Sequence, residues 1–306
     1  NLKLSFRGIM SVMGHFIAYL QIALAMAIVG SSVVVGKLVV MHVPVFLVSG
    51  LRFFIATLIL LPLWIYTEQG FPRLEKKDFL LLTMQSMAGV FFFNICMLYG
   101  LTLTTAIEGG IITSTLPAVV GILALLMLKE RLSLMQGVGI ALAIFGTLAM
   151  NVAGEVSGYD RGNHPLLGNL LVFGAVIGEA LFIVLGKSVS GRISPLGIST
   201  LVSLFGFLMF LPFSIYEATD FDFLTVTVVD WLLILYFGVV VTVLAFFLMY
   251  QGLQKVPAHA AGVMTGVLPI STLFLSMLFL HETLLWSQIA GMACVLLAIY
   301  LVSRNG

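Results

Sequence analysis

Hydrophobic positions in this chain neither alternate with polar ones nor recur as a single stripe per helical turn. They come as unbroken runs, of which Phe79–Leu98 and Leu196–Ile215 are examples. A half-buried strand alternates apolar and polar residues, and a membrane barrel is assembled from short alternating segments; neither pattern is present. Each run is close to the roughly 20 apolar residues that carry an α-helix through a bilayer. A helix satisfies its own backbone hydrogen bonds where lipid offers no partner. The runs predict ten transmembrane helices, over 17–36, 45–66, 79–98, 103–128, 134–152, 167–187, 195–215, 231–252, 257–280 and 286–303. Short connections that mostly carry a charge, Pro or Gly separate them. The expected class is an all-α membrane protein.

Composition narrows the function classes. Of 306 residues, 61% are hydrophobic and 9% charged, with a mean hydropathy of +1.18. A soluble domain carries roughly 25% charged residues, so this chain cannot cover a globular surface with solvated groups. A cytosolic enzyme, a nucleic-acid binder and a disordered chain are thereby excluded. The net charge of +1 implies no attraction to polyanions. Cys96 and Cys294 both lie inside apolar runs and make neither a disulfide framework nor a thiolate metal site. Nothing calls for a cofactor. The first thirteen residues, with Lys3 and Arg7, are expected to be a short basic lead and not a cleaved signal, because a full span follows.

Lys and Arg set the orientation, since they concentrate on cytoplasmic connections. With the N-terminus inside, the inner set is Lys3, Arg7, Arg73, Lys76, Lys77, Lys129, Arg131, Lys187, Arg192, Lys255 and Arg304. The outer set is Lys37 and Arg161, and Arg52 lies within the second predicted span. Eleven against two predicts a multi-pass protein of the cytoplasmic membrane with both termini inside.

The longest polar insertion, 153–166, separates five predicted helices (residues 1–152) from five more (167–306). A shift of 152 residues overlays Gly100–Gly139 on Gly252–Gly291 with 14 identities in 40 positions and no gap. Leu matches are cheap in this composition. Gly100/Gly252, Gly110/Gly262, Thr113/Thr265, Pro117/Pro269, Glu130/Glu282, Gln136/Gln288 and Gly139/Gly291 are not. A shift of 150 also places Val34, Gly36 and Lys37 on Val184, Gly186 and Lys187. Five is odd, so the second copy enters the membrane from the opposite face. Two inverted five-helix repeats are a common plan of secondary transporters, with the substrate near the midplane between them.

The ordered set of motifs resembles the drug/metabolite transporter superfamily, in its EamA-like ten-helix branch. The residues that carry the resemblance are Gly30-Ser31, Pro44 with Arg52, Pro117 with Lys129-Glu130-Arg131, and Pro269 with Glu282. Val29 stands where the family often has Trp. Glu179 stands at the repeat position equivalent to Val29, where an apolar or aromatic residue is usual. The resemblance implies transport of small metabolites and leaves the cargo open.

Glu179 is the sharpest single signal. It lies about twelve residues into the sixth predicted span, ~18 Å of rise and so near the midplane. A carboxylate there is costly and by default functional; the rival reading is a protonated Glu bonded to a neighbour. Arg52 offers a bidentate fork for a substrate carboxylate. The resemblance favours instead a structural pairing, with Glu108 or with helix-end carbonyls. Asn94, Ser31, Thr113 and Tyr236 are further candidates for the cavity wall, as are Gln85, Gln21, Tyr19, Ser32 and Tyr250. Kinked, glycine-rich helices at equivalent places would form the moving walls: Gly109, Gly110 and Pro117 in one repeat, Gly262, Gly266 and Pro269 in the other. Glu108 and His259 join them as gating candidates. Glu130 and Glu282 are expected to tie down structural turns. His281-Glu282 is not a zinc motif, because Leu285 replaces the second histidine.

The reading is therefore a secondary transporter working by alternating access and exporting small metabolites such as amino acids, since Glu179 and Arg52 offer opposite charges to a zwitterion. The alternative is proton-coupled efflux of organic cations, with Glu179 as the exchanging carboxylate. Remoter alternatives are an intramembrane enzyme, for which the five scattered histidines supply no cluster, and a channel. The implied partners are a small-molecule substrate and the lipid bilayer, with no nucleic acid. The fifth and tenth predicted spans, nearly free of polar residues, are candidates for a homodimer contact.

Overall fold

Runs this apolar can satisfy their peptide groups in lipid only as helices, and among the described residues of the computed structural model every regular element is helical. The structure describes residues 2–39, 42–68, 74–103, 112–113, 115–152, 164–280 and 286–304. In chain order the helices are α1 (Leu2–Val39), α2 (Val45–Glu68), α3 (Lys76–Ser86), α4 (Phe93–Leu103), α5 (Leu116–Leu123), α6 (Leu134–Val152) and α7 (Pro165–Val189). There follow α8 (Pro195–Thr219), α9 (Val228–Tyr236), α10 (Ala245–Leu253), α11 (Ala258–Met264), α12 (Val267–Leu280) and α13 (Trp286–Arg304). Three π-helical segments interrupt or end these rods: Met87–Phe92 joins α3 to α4, Ala124–Leu128 ends α5, and Phe237–Leu244 joins α9 to α10.

Among the described residues six helices are long and apolar enough to cross a membrane, and three shorter apolar ones are Leu116–Leu128, Leu134–Gly146 and Ile289–Val302. Large apolar side chains such as Leu58, Leu126, Leu170, Phe213 and Leu296 are exposed, while Gln85, Ser199, Thr200, Ser203 and Thr242 are fully buried. That distribution is the reverse of a water-soluble surface and suits contact with lipid tails.

Helix starts follow local chemistry. The Ser194 hydroxyl accepts from Gly197 N and Pro195 opens α8, where a missing N–H costs nothing. Thr227 and Asp230 form a reciprocal capping box at α9. Ser133 and Gln136 exchange the same pair of bonds at the start of α6.

Packing is dominated by pairs that join the first half of the chain to the second. The most extensive are α6 with α13, α2 with α8, α4 with α7, and α1 with both α12 and α10. Small residues set the approach. A Cβ on Gly252 of α10 would lie 2.4 Å from Ile22 of α1, and one on Gly100 of α4 would lie 2.8 Å from Val172 of α7. The repeat-equivalent glycines thus make equivalent seams. Since Gly252 meets α1 at residues 18–22, the end of α10 lies ~30 Å of helical rise from the far end of α1 at Val39. The bundle therefore has two distinct ends. One holds Glu130, Lys187 and Val256, and the other holds His42, Glu217 and Asp230.

Candidate functional site

Glu179 on α7 and Arg52 on α2 are charged residues placed away from the ends of their helices. Both are half-buried. Glu179 has no hydrogen-bond or ion-pair partner among the described residues. Arg52 donates from Nε to the Thr242 hydroxyl at 3.0 Å, and its guanidinium sits 4.7 Å from the Phe53 ring centroid and 5.7 Å from that of Phe237. Cation–π contact and one hydrogen bond hold the side chain in place; no described carboxylate reaches it.

Each of these residues packs beside a π-helical segment. Gly178, the residue before Glu179, approaches so closely that a Cβ there would lie 2.5 Å from the Ala88 carbonyl. Gly238, one residue into the other segment, would place a Cβ 2.6 Å from Ile55 and 3.3 Å from the Arg52 carbonyl. Thr242, which accepts from Arg52, donates in turn to the Phe237 carbonyl at 2.9 Å. The hydroxyl's donor and acceptor capacities therefore link the guanidinium to the π turn. Single π turns inside α-helices occur frequently at functional sites. A run of aromatic rings bridges the two regions: Phe182, one turn beyond Glu179, lies 5.6 Å from Phe246, which lies 6.5 Å from Phe53, the neighbour of Arg52.

The predicted proline positions coincide with breaks. Thr115 is a turn residue, and α5 starts at Leu116 with Pro117 at its second position. In the second half a turn at Thr265–Gly266 separates α11 from α12. Pro269 has no N–H to give the Thr265 carbonyl, which accepts from Leu268 N at 3.0 Å instead. Gly262 presses α11 on α5, where a Cβ would lie 2.7 Å from Val120, and Gly266 does the same to Val295 of α13 at 2.5 Å. Gly30 lets α1 meet α12, where Ser271 donates to the Ala27 carbonyl and Thr272 to the Gly30 carbonyl.

The remaining candidates divide. Ser31 and Tyr236 join their hydroxyls at 2.6 Å, between α1 and α9. Asn94 bonds its own helix at the Val90 carbonyl, at the end of the first π segment. Thr113 is half-buried and partnered. Gln85 and Tyr250 are fully buried and bonded to each other at 2.9 Å, so they join helices and line no opening. Gln21 bonds Gln251 at 2.6 Å. Glu108, Gly109, Gly110 and Glu282 lie outside the described residues.

Glu130 is not confined to its own turn. Its Oε1 accepts from Ala258 N at 2.9 Å, and its Oε2 from His259 N at 3.2 Å and the His259 Nδ1 at 2.7 Å. It therefore caps α11 in the other half of the chain. Burial alone would raise the Glu130 carboxyl, but the His259 and backbone hydrogen bonds outweigh it and hold the group below the ordinary carboxylate value. Thr242 and this long-range role of Glu130 escaped the sequence reading. The faint signals were a lone hydroxyl in the run Phe237–Phe247 and the paired Gly-Lys at 36–37 and 186–187.

Comparison with known proteins matches this arrangement to one family. The model of the EamA-like transporter family matches residues 16–152 and again 166–304. The chain is 52% identical over 283 residues to "Uncharacterized transporter YetK" of Bacillus subtilis, covering 92% of this chain and 86% of that one. It is 24% identical over 262 residues to an "Uncharacterized transporter" of Archaeoglobus fulgidus, covering 84% and 88%. A solved crystal structure superposes with a TM-score of 0.78 over 96% of this chain and 99% of that chain at 15% identity, which shows a shared fold. Two stretches of all-helical, lipid-compatible chain, each matching the same model, place the protein in the drug/metabolite transporter superfamily: it belongs to the EamA-like transporter family.

Proposed function

We propose that the protein is a secondary transporter of the cytoplasmic membrane. Its ten spans form two inverted five-helix repeats, residues 1–152 and 167–306, with both termini cytoplasmic. It works by alternating access and exports small zwitterionic metabolites of the amino-acid kind. The double family match supports the repeat, as does the equivalence of the Gly100 and Gly252 seams. The observation that carries the site is the presence of Glu179 and Arg52, both half-buried within long apolar helices and with no ion-pair partner among the described residues. An unpartnered carboxylate this deep is expensive, and a substrate ammonium would neutralise it while Arg52 met the substrate carboxylate. Pro117, Gly262, Gly266 and Pro269 supply the breaks at which the walls move, since discontinuous helices at equivalent places of two repeats line such sites.

A second reading has an observation of its own. Arg52 is already occupied by Thr242 and two rings, whereas Glu179 is not, and this favours an organic cation exchanged against a proton at Glu179. Thermal stabilisation of the detergent-purified protein by amino acids, polyamines, quaternary cations, sugars and nucleotides separates the two, because a ligand raises stability by mass action. A zwitterion that stabilises the wild type and not Glu179→Gln supports the exporter reading. Stabilisation by cations alone, weaker at low pH, supports the second. Equal responses from wild type and variant would remove Glu179 from the site.

A further inference from the structure

We infer that Glu130, His259 and Lys187 form a latch that holds one end of the transport path shut, and that Glu130 is a gating residue and not the clamp of a local turn. The inference rests on the alternating-access reading above and names the group that would control it.

The latch is assembled from four rods. Glu130 follows the π-helical end of α5, and its carboxylate receives three hydrogen bonds from the start of α11. Lys187, in the last turn of α7, donates to the Leu253 carbonyl at the end of α10 at 2.6 Å, five residues before the α11 start that Glu130 holds. Ser190 adds a bond to the same carbonyl. Glu130 and Lys187 come from different halves of the chain, as do Glu130 and His259. Breaking the carboxylate's contacts would therefore free the start of α11 from the end of α5.

Further observations separate a latch from ordinary capping. Every residue of α11 is buried, and the Glu130 and His259 side chains are 16% and 4% exposed, so the contact between them is shielded from solvent. His259 Nε2 is buried with no partner among the described residues. A polar atom in that condition is costly, and it is relieved when the end opens to water. Lys129, just before Glu130, has φ 56°, the only positive value at a non-glycine among the described residues. Backbone held there by its surroundings is a recurring mark of switch regions. The repeat-equivalent of His259 is Ile107, so the chemistry of this latch is particular to one end.

The test uses the full chain in nanodiscs, which expose both faces, with Cys96→Ser and Cys294→Ser as background. A reporter is introduced as Val256→Cys beside the latch or Val43→Cys at the opposite end, both positions being buried. Labelling by a membrane-impermeant maleimide is then timed. Glu130→Ala and Glu130→Gln are expected to speed labelling at position 256 at least tenfold and to slow it at position 43, with Lys187→Met doing the same more weakly. Glu130→Gln keeps an acceptor for α11 and serves if the alanine variant does not fold. Faster labelling at 256 with no change at 43 would mean local fraying and would overturn the latch. No change at either reporter would overturn it too. Saturable counterflow of a radiolabelled amino-acid mixture, measured on the cysteine-free background in liposomes, judges the carrier reading separately. Its failure would sink that reading whatever the reporters do.

Discussion

At one end of the bundle Asp78, in the first turn of α3, accepts two hydrogen bonds from Arg192, at 2.8 and 2.5 Å. At the other, Asp230 in the first turn of α9 meets His42 Nδ1 at 3.0 Å. The two aspartates stand 152 residues apart and the two bases 150 apart, which are the offsets of the internal repeat. One ancestral pairing thus occupies both ends with different chemistry. Arg192 meets Asp78 with two nitrogens of a planar fork, whereas His42 meets Asp230 with one ring nitrogen. Two glutamates that are not repeat partners also set the ends apart. Glu217 accepts a single backbone N–H, from Leu47, while Glu130 accepts three bonds across the halves. The lesson is that the repeat supplies equal scaffolds, and single substitutions make one end firmer than the other.

The comparison is tested most severely at the seams. Gly252→Val is expected to cost about 3 kcal/mol and Gly100→Val about 2, because added volume in a packed seam is destabilising and the first approach is tighter. Thermal melting of both variants checks this; an undisturbed Gly100 variant would break the equivalence of the seams. Next in size, Glu130→Ala should cost about 2–3 kcal/mol by leaving buried donors unpaired, against about 1 for Glu217→Ala. Hydrogen exchange at Ala258 and His259, and at Leu47, distinguishes the two.

Acid should act on the firmer end through Glu130. Its value in the folded protein is depressed, so its contribution is present above the ordinary carboxylate value and fades as pH falls through the lowered one. Wild type and Glu130→Gln should differ in melting temperature at neutral pH and converge below about pH 4. A difference that grows on acidification would show the opposite sign. Relief of the left-handed backbone by Lys129→Gly is expected to gain up to about 1 kcal/mol. The smallest effect belongs to His42→Ala, about 0.5 kcal/mol or less, since the imidazole is 57% exposed and exposed pairs contribute little.

Apolar runs made the helices legible. Val45–Glu68 and Pro195–Thr219 fall on the predicted 45–66 and 195–215. Charges inside such runs mark Glu179 and Arg52 as candidates, because lipid leaves few reasons to keep them. What stayed hidden has a common cause. A π turn is one surplus residue in a helix, and a stretch such as Phe237–Leu244, apolar on all sides, shows no change of period when a residue is added. The breaks at Thr115 and Thr265–Gly266 were foreseeable only as kinks, since proline reports the lost bond and not how the chain resumes. Sequence alone makes Glu130 the clamp of its own turn, because its partners lie 128 and 129 residues away, a separation no local pattern encodes.

The pairing of α6 with α13, α2 with α8, α4 with α7 and α1 with α10 and α12 bears on how the protein is made. Each of these contacts waits for the second half of the chain, so the first half leaves the ribosome with its helices inserted but its neighbours still untranslated. In that interval Gly100 and Gly139 face lipid, and Glu130 has no α11 to hold. The two halves relate to one another as subunits of an obligate heterodimer joined by a linker. Cut between residues 152 and 165, the pieces should be unstable when expressed singly and assemble when expressed together.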